Sequence, residues 1–154
     1  MNLIDHLHLA AHPEGGYFRR IHTAEATLQT EHGERHAASS IHYLLTREQP
    51  RSRFHRVRST ILHYLQSGGP VQYACMDAEG RLTETTLGYG EGQALFLEVP
   101  AGIWKASRLI GDADHVLVSE VVIPGFDWAD HEYLSAESLS ESLMQRLRAA
   151  GWID

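Results

Sequence analysis

Arg53-Phe54-His55-Arg56-Val57, running on to Gly68, and Val99-Pro100-Ala101-Gly102-Ile103-Trp104-Lys105 are the two stretches that decide the fold. Each is a β-type segment that meets a Gly or Pro corner, and each aims polar side chains toward a common place. That is the layout of a small β-barrel with a site between two strand pairs. The polar set is unusual: His55 is the one histidine of residues 53–57, and Lys105 closes the second stretch.

Working outward, short β-rich runs recur at regular spacing. Residues 17–22, 40–46, 51–58, 61–66, 71–76, 82–87, 94–99, 104–110 and 115–123 read as strands. Asp77-Ala78-Glu79-Gly80 is a hairpin turn. Residues 24–38 are polar, carry Gly33 and scattered charges, and read as a loop. Leu3, Ile4 and Leu7 give residues 2–10 a short amphipathic helix ended by Pro13 and Gly15-Gly16. The period changes again at the tail, where Leu139, Leu143 and Leu147 recur at i, i+4. Ser135 is the candidate N-cap of that helix, and Gly151 follows it. The whole predicts an all-β closed or sandwiched antiparallel barrel with a short helix at each end, in one domain over residues 1–154.

Composition narrows the function. Of 154 residues, 43% are hydrophobic and 21% charged, as in ordinary globular proteins. The net charge of −7 gives nucleic acid no basic face to bind. No apolar run approaches the roughly 18 residues of a membrane span. The start Met1-Asn2-Leu3-Ile4-Asp5-His6 has neither a basic segment nor an apolar core, which points away from export. Cys75 stands alone, which excludes an internal disulfide and fits a reducing, cytoplasmic compartment. Eleven histidines make the charge pH-dependent near neutrality.

Four blocks resemble a known family. His12-Pro13-Glu14-Gly15-Gly16-Tyr17-Phe18-Arg19, His55-Arg56-Val57, Val99-Pro100-Ala101-Gly102 with Trp104, and Pro124-Gly125-Phe126-Asp127 with Asp130 look like the cupin-5 branch of the cupin superfamily. The resemblance implies a double-stranded β-helix, or jelly roll, commonly a homodimer, with a distant likeness to dTDP-sugar epimerases and seed storage proteins. In metal-binding cupins the first motif supplies two histidines and a glutamate, and the second a further histidine. Aligned on those motifs, this chain keeps His55 but has Val57, Ile61 and Lys105 at the other places. Family relatives usually carry an acid near position 61, a tryptophan near 63 and a glutamine near 105, where this chain has Ile61, His63 and Lys105.

Alternation puts Arg53, His55 and Val57 on one face, and Ile61, His63 and Leu65 on one face of the next strand. The expected lining is two imidazoles and the Lys105 ammonium, with no carboxylate. Too few donors remain for zinc, so no metal and no cofactor are assigned. The alternative is a metal held by His55 with His42 or His63 as unconventional ligands. A cationic pocket suits a small anionic, sugar- or acid-like molecule. For an isomerase or epimerase, His55 is the candidate base, with Tyr43, Tyr64 or Lys105 as the acid on the opposite face. Lys105 beside apolar Ile61 is also a candidate amine nucleophile. Arg53, His63, Tyr64, Glu14, Tyr17 and Trp104 are candidate ligand contacts.

Blander readings stand beside these. Lys105 snorkels outward and His55 is a hydrogen-bonded interior histidine; Glu14, Tyr17 and Arg19 serve the chain reversal at Gly15-Gly16; Trp104 and Phe126 are core or dimer contacts. A storage-like protein would fill the cavity with side chains. Gly88-Tyr89-Gly90-Glu91-Gly92 precedes a strand and is no nucleotide fingerprint. His32-Gly33-Glu34-Arg35-His36 lacks the zinc-protease order, and Cys75 reads as an inert thiol. Phe96 and Trp128 are candidate exposed aromatics for a twofold mate across an open sheet edge.

Overall fold

Alternation along the strands sorts the side chains of this chain into one inner layer and two outer ones. The structure is a computed structural model and describes residues 2–154. In chain order its elements are α1 (Leu3–His6), β1 (Ala10–Ala11), β2 (Tyr17–Thr23), β3 (Thr27–Thr30), β4 (Gly33–His36), β5 (Ser39–Thr46), β6 (His55–Arg56) and β7 (Thr60–Gly68). There follow β8 (Val71–Met76), β9 (Leu82–Leu87), β10 (Phe96–Val99), β11 (Trp104–Leu109), β12 (His115–Ile123), β13 (Glu132–Tyr133) and α2 (Glu141–Ala149). A six-stranded sheet has the order β1-β2-β5-β12-β7-β10 and faces a five-stranded sheet ordered β13-β6-β11-β8-β9. All pairings within both are antiparallel, giving a jelly roll.

Tyr43, Leu45, Val71, Tyr73, Leu87, Val116 and Val118 close one end of the space between the sheets. Each buried aliphatic side chain there contributes about 1.5–3 kcal/mol. The other end stays open and holds the polar site. On the outer face of the five-stranded sheet, Phe54, Ala74, Met76, Trp104 and Ala106 pack under Leu147 of α2 and Trp152. Covering both faces explains why β11 is buried at four consecutive residues, Trp104 to Ser107, instead of alternating. The outer face of the six-stranded sheet is covered at one end, where Leu3, Ile4 and Leu7 pack on Leu9, Leu44 and Leu117. No helix among the described residues is long and apolar enough to cross a membrane.

Four sequence expectations need correction. Helix α1 is a single turn, because His8 takes a positive φ of 52° and the chain then pairs as β1 with β2. Residues 24–38 contain the hairpin β3–β4, which lacks a hydrophobic period because it pairs outside both main sheets. The predicted strand 51–58 contracts to His55–Arg56. Ser135 caps a 3-10 turn at Ala136–Ser138, and the true N-cap of α2 is Ser140, whose hydroxyl accepts from the Leu143 N–H at 3.2 Å.

Candidate functional site

The register of the six-stranded sheet brings Ile41, Glu120, His63 and Leu97 into one cross-strand row. On the facing sheet, Lys105 is paired between His55 of β6 and Cys75 of β8. These inner faces enclose a cavity of about 80 Å³, lined on its polar side by His12, Glu14, Ser52, His55, Lys105, Ser107 and Glu120. Phe18, Ile41, Val57, Ile61, Val122 and Phe126 line its apolar side, and exposed Arg20 and Trp128 lie on its lining toward solvent. Such a space admits several waters or a ligand of few heavy atoms.

Lys105 is 3% exposed. Its ammonium donates to His63 Nε2 at 2.8 Å and, more weakly, to Glu120 Oε1 at 3.5 Å. His63 Nδ1 faces the Leu97 carbonyl at 3.1 Å, so hydrogen bonding assigns the proton to Nδ1 and leaves Nε2 as the acceptor. Burial, reinforced by the Lys105 charge, pushes His63 well below the usual imidazole range. With two of its N–H bonds used in the wall, Lys105 has a third without a partner among the described residues.

A second cluster is built around Glu14. Gly15 and Gly16 have φ of 104° and 75°, and a Cβ on either would press on backbone carbonyls, of Arg51 and Leu44 respectively. That tight reversal turns Glu14 into the cavity, and the Tyr43 hydroxyl locks it by donating to the Gly15 carbonyl. His131 Nε2 donates to Glu14 Oε1 at 2.7 Å, His55 Nε2 lies 3.2 Å from Oε2, and the Glu14 N–H donates to His12 Nδ1 at 3.0 Å. Burial pushes the Glu14 carboxyl up, but His55, the His131 hydrogen bond, His12 and Lys105 together outweigh it and hold it at about 2. Burial brings His55 down to about 4 against the pull of Glu14, while its Nδ1 bonds the Arg53 carbonyl at 2.8 Å. Burial also lowers His12 and raises Tyr43, which keeps the phenol protonated.

The structure therefore gathers His55, Lys105, Tyr43 and Glu14 on the cavity, with His63 directly behind Lys105. It places the other candidates elsewhere. Arg53 is exposed, with its guanidinium 4.1 Å from the Tyr133 ring centroid. Both Arg53 and Phe54 line the outer side while Ser52 and His55 line the cavity, so two successive outward residues break the alternation that would have put Arg53 beside His55. Tyr64 is 41% exposed on the reverse face from His63 and packs on Phe96. Tyr17 packs on the α1 side, and Trp104 in the layer beneath α2, under the Arg56 guanidinium. His42 alternates with the cavity-lining Ile41 and Tyr43 and so points away.

Glu120, His12 and His131 were missed by the sequence reading, which expected a lining without a carboxylate. Glu120 sits in His115-Val116-Leu117-Val118-Ser119-Glu120-Val121-Val122, where its in-phase position with Val116 and Val118 was the available signal for an inward charge. Two carboxylates now balance Lys105 and Arg20, so the cavity is close to neutral with its lowered histidines uncharged.

The donor set does not fit a divalent cation. Val57 and Ile61 face the cavity without a donor atom, Lys105 contributes a positive charge, and Glu14 Oε1 already accepts from His131. Among the described residues no group of three or more His, Cys, Asp or Glu side chains forms a ligand cluster.

A jelly roll with polar side chains gathered between its two sheets is the architecture of a cupin. The chain belongs to the family described as Cupin superfamily (DUF985), which it matches over residues 1–134. It is 34% identical to an uncharacterized protein of Saccharomyces cerevisiae, over 96% of this chain and 81% of the yeast protein. Among solved structures it resembles a protein from Shewanella oneidensis (TM-score 0.87, 29% identity, 99% of this chain and 95% of that one). A hypothetical protein from Leishmania major is also similar (TM-score 0.79, 28% identity, 97% and 92%). Oxalate decarboxylase of Bacillus subtilis shares the fold at TM-score 0.60 and 15% identity, over 93% of this chain and 34% of the enzyme.

Proposed function

We propose that this cupin binds a small monoanionic, acid-like molecule of few heavy atoms in the barrel cavity, without a metal, in the cytoplasm. The observation that carries the reading is the third N–H of buried Lys105, the charged donor on the cavity lining that the wall leaves free. Arg20 supports it from the exposed end of the lining, where its one hydrogen bond goes to Thr23 Oγ1 at 3.2 Å. Glu14 and Glu120 limit the ligand to a single negative charge, because each further charge meets a carboxylate. The apolar side formed by Val57, Ile61 and Val122 suits a short carbon skeleton.

The test is thermal: pyruvate, related keto- and hydroxy-acids, and phosphorylated sugars are screened for a rise in melting temperature. A small monocarboxylate is expected to raise it. Lys105→Met, and Lys105→Met with Glu120→Gln to remove both charges together, are expected to abolish the shift. A shift that survives in the double variant would overturn the reading.

A second reading, isomerase or epimerase activity, rests on His55. It is held neutral at pH 7 beside an ionised carboxylate, as a base requires, with Tyr43 kept as a phenol on the facing sheet. Deuterium exchange from solvent into the carbon next to the carbonyl of a bound acid would reveal it. His55→Gln is expected to stop exchange while leaving the thermal shift in place. Exchange unchanged in that variant would remove His55 from the role.

Assembly is part of the proposal. Tyr64, Phe96 and Ile123 are 41–44% exposed on the uncovered part of the six-stranded sheet, and a twofold mate would bury them.

A further inference from the structure

The last twenty residues pack across the outer face of the five-stranded sheet and leave a groove of about 320 Å³ against segment 51–54. That volume falls within the range of small-molecule sites, about 300–1,000 Å³. Phe54, Met144 and Trp152 provide its apolar floor. Arg51, Arg53 and Arg148 line it as well, and all three are exposed. Arg51 and Arg53 form no ion pair within 4.0 Å among the described residues, as is also true of Arg19, Arg20, Arg108 and Arg146, whereas Arg35, Arg47, Arg56, Arg58 and Arg81 each meet a carboxylate. Arg148 Nε donates at 2.8 Å to the main-chain oxygen of Asp154, an acidic residue that also lines the groove, and Arg53 lies over Tyr133. In a protein of net charge −7, three guanidinium groups around one apolar cleft, against the two acidic residues Glu14 and Asp154 on the same lining, leave a local excess of positive charge.

We propose that this groove is a second binding site, taking an amphipathic carboxylate with its apolar body on Phe54, Met144 and Trp152 and its head group on the arginines. The planar guanidinium fork suits a carboxylate, and the apolar floor discriminates against a bare anion. Glu14 and Ser52 line both groove and cavity, forming the wall between them. The Glu14 charge on that wall repels the head group toward the arginine side. Much of the groove comes from residues 136–154, beyond the stretch that matches the family.

Octanoate is the probe, with octan-1-ol and sulfate as controls, followed by calorimetry and by the three tryptophan indole N–H signals in NMR spectra. Octanoate is expected to bind saturably one to one and to move the Trp152 indole, which donates to Glu84 at 2.6 Å beside the groove, while leaving Trp128 at the cavity in place. Arg53→Gln with Arg148→Gln, both exposed and outside the core, should weaken binding about tenfold or more through lost charge-assisted hydrogen bonds. Octan-1-ol should bind at least about tenfold more weakly for the same reason. Four results would overturn the proposal: no saturation, equal affinity for octan-1-ol, full competition by sulfate, or movement of Trp128 without Trp152.

Discussion

Lys105 is the residue on which the chemistry of the cavity depends. Its ammonium, His63 and Glu120 form a buried unit in which each removes a cost from the others: the cation has two acceptors, and the carboxylate has a counter-charge 3.5 Å away. Removing one partner strands the other. Lys105→Met should therefore cost about 3 kcal/mol or more in chemical denaturation, since an uncompensated buried charge remains. Adding Glu120→Gln should restore part of that loss, a coupling that a double-mutant cycle reads directly. Additive losses would mean that the two side chains do not act as a pair. The family resemblance placed His55 and Lys105 between the sheets, and the period of β7 put His63 on the same face as Ile61. Glu120 was hidden among valines, and Glu14 depends on a glycine reversal whose direction no local pattern encodes.

At the element scale, strands with a clean hydrophobic period were readable, and those without one were not. β5, β7, β8, β9, β11 and β12 coincide closely with the expected runs, whereas β3 and β4 went unseen because neither face is buried. Segment 51–54 shows the other failure. Pairing there is to Glu14 and Ser107 main chain in place of a continuous ladder, so a two-residue irregularity shifts Arg53 from cavity to groove. Leu143 and Leu147 located the C-terminal helix, but Leu139 lies ahead of it; Ser135 and Ser140 both satisfy a cap rule, and only the following 3-10 turn separates them. Ser140→Ala should cost about 1 kcal/mol. In a chain of this size that lowers the melting temperature by about 2–4 °C. Ser135→Ala, which releases one bond of 3.3 Å in an exposed turn, should lower it less. The reverse ranking would assign the helix start to Ser135.

At the scale of the whole molecule, the buried histidines set a pH response. Unfolded His55 takes a proton below its ordinary value of 6.5, but folded His55 does so only near 4, so the unfolded state gains protons as pH falls through that window. Stability is lost by about 3 kcal/mol from this group, with His63 and His12 shifted the same way. Glu14 continues the loss from its ordinary 4.5 down to about 2. Denaturation curves at pH 7 and pH 4.5 should show the decline, and His55→Gln should flatten it; equal stability at both would contradict the burial of neutral histidines. Light scattering should give a dimer at micromolar concentration that Phe96→Glu with Tyr64→Glu converts to monomer. A wild-type monomer would contradict the assembly. The role of Lys105 as the fixed positive charge of the cavity is open to test in a crystal structure of the protein soaked with pyruvate. A carboxylate oxygen is expected within hydrogen-bond distance of Lys105 Nζ, with the His63 and Glu120 contacts intact. A cavity closed by side chains, or a ligand bound with Lys105 turned away from it, would rule out that role for Lys105.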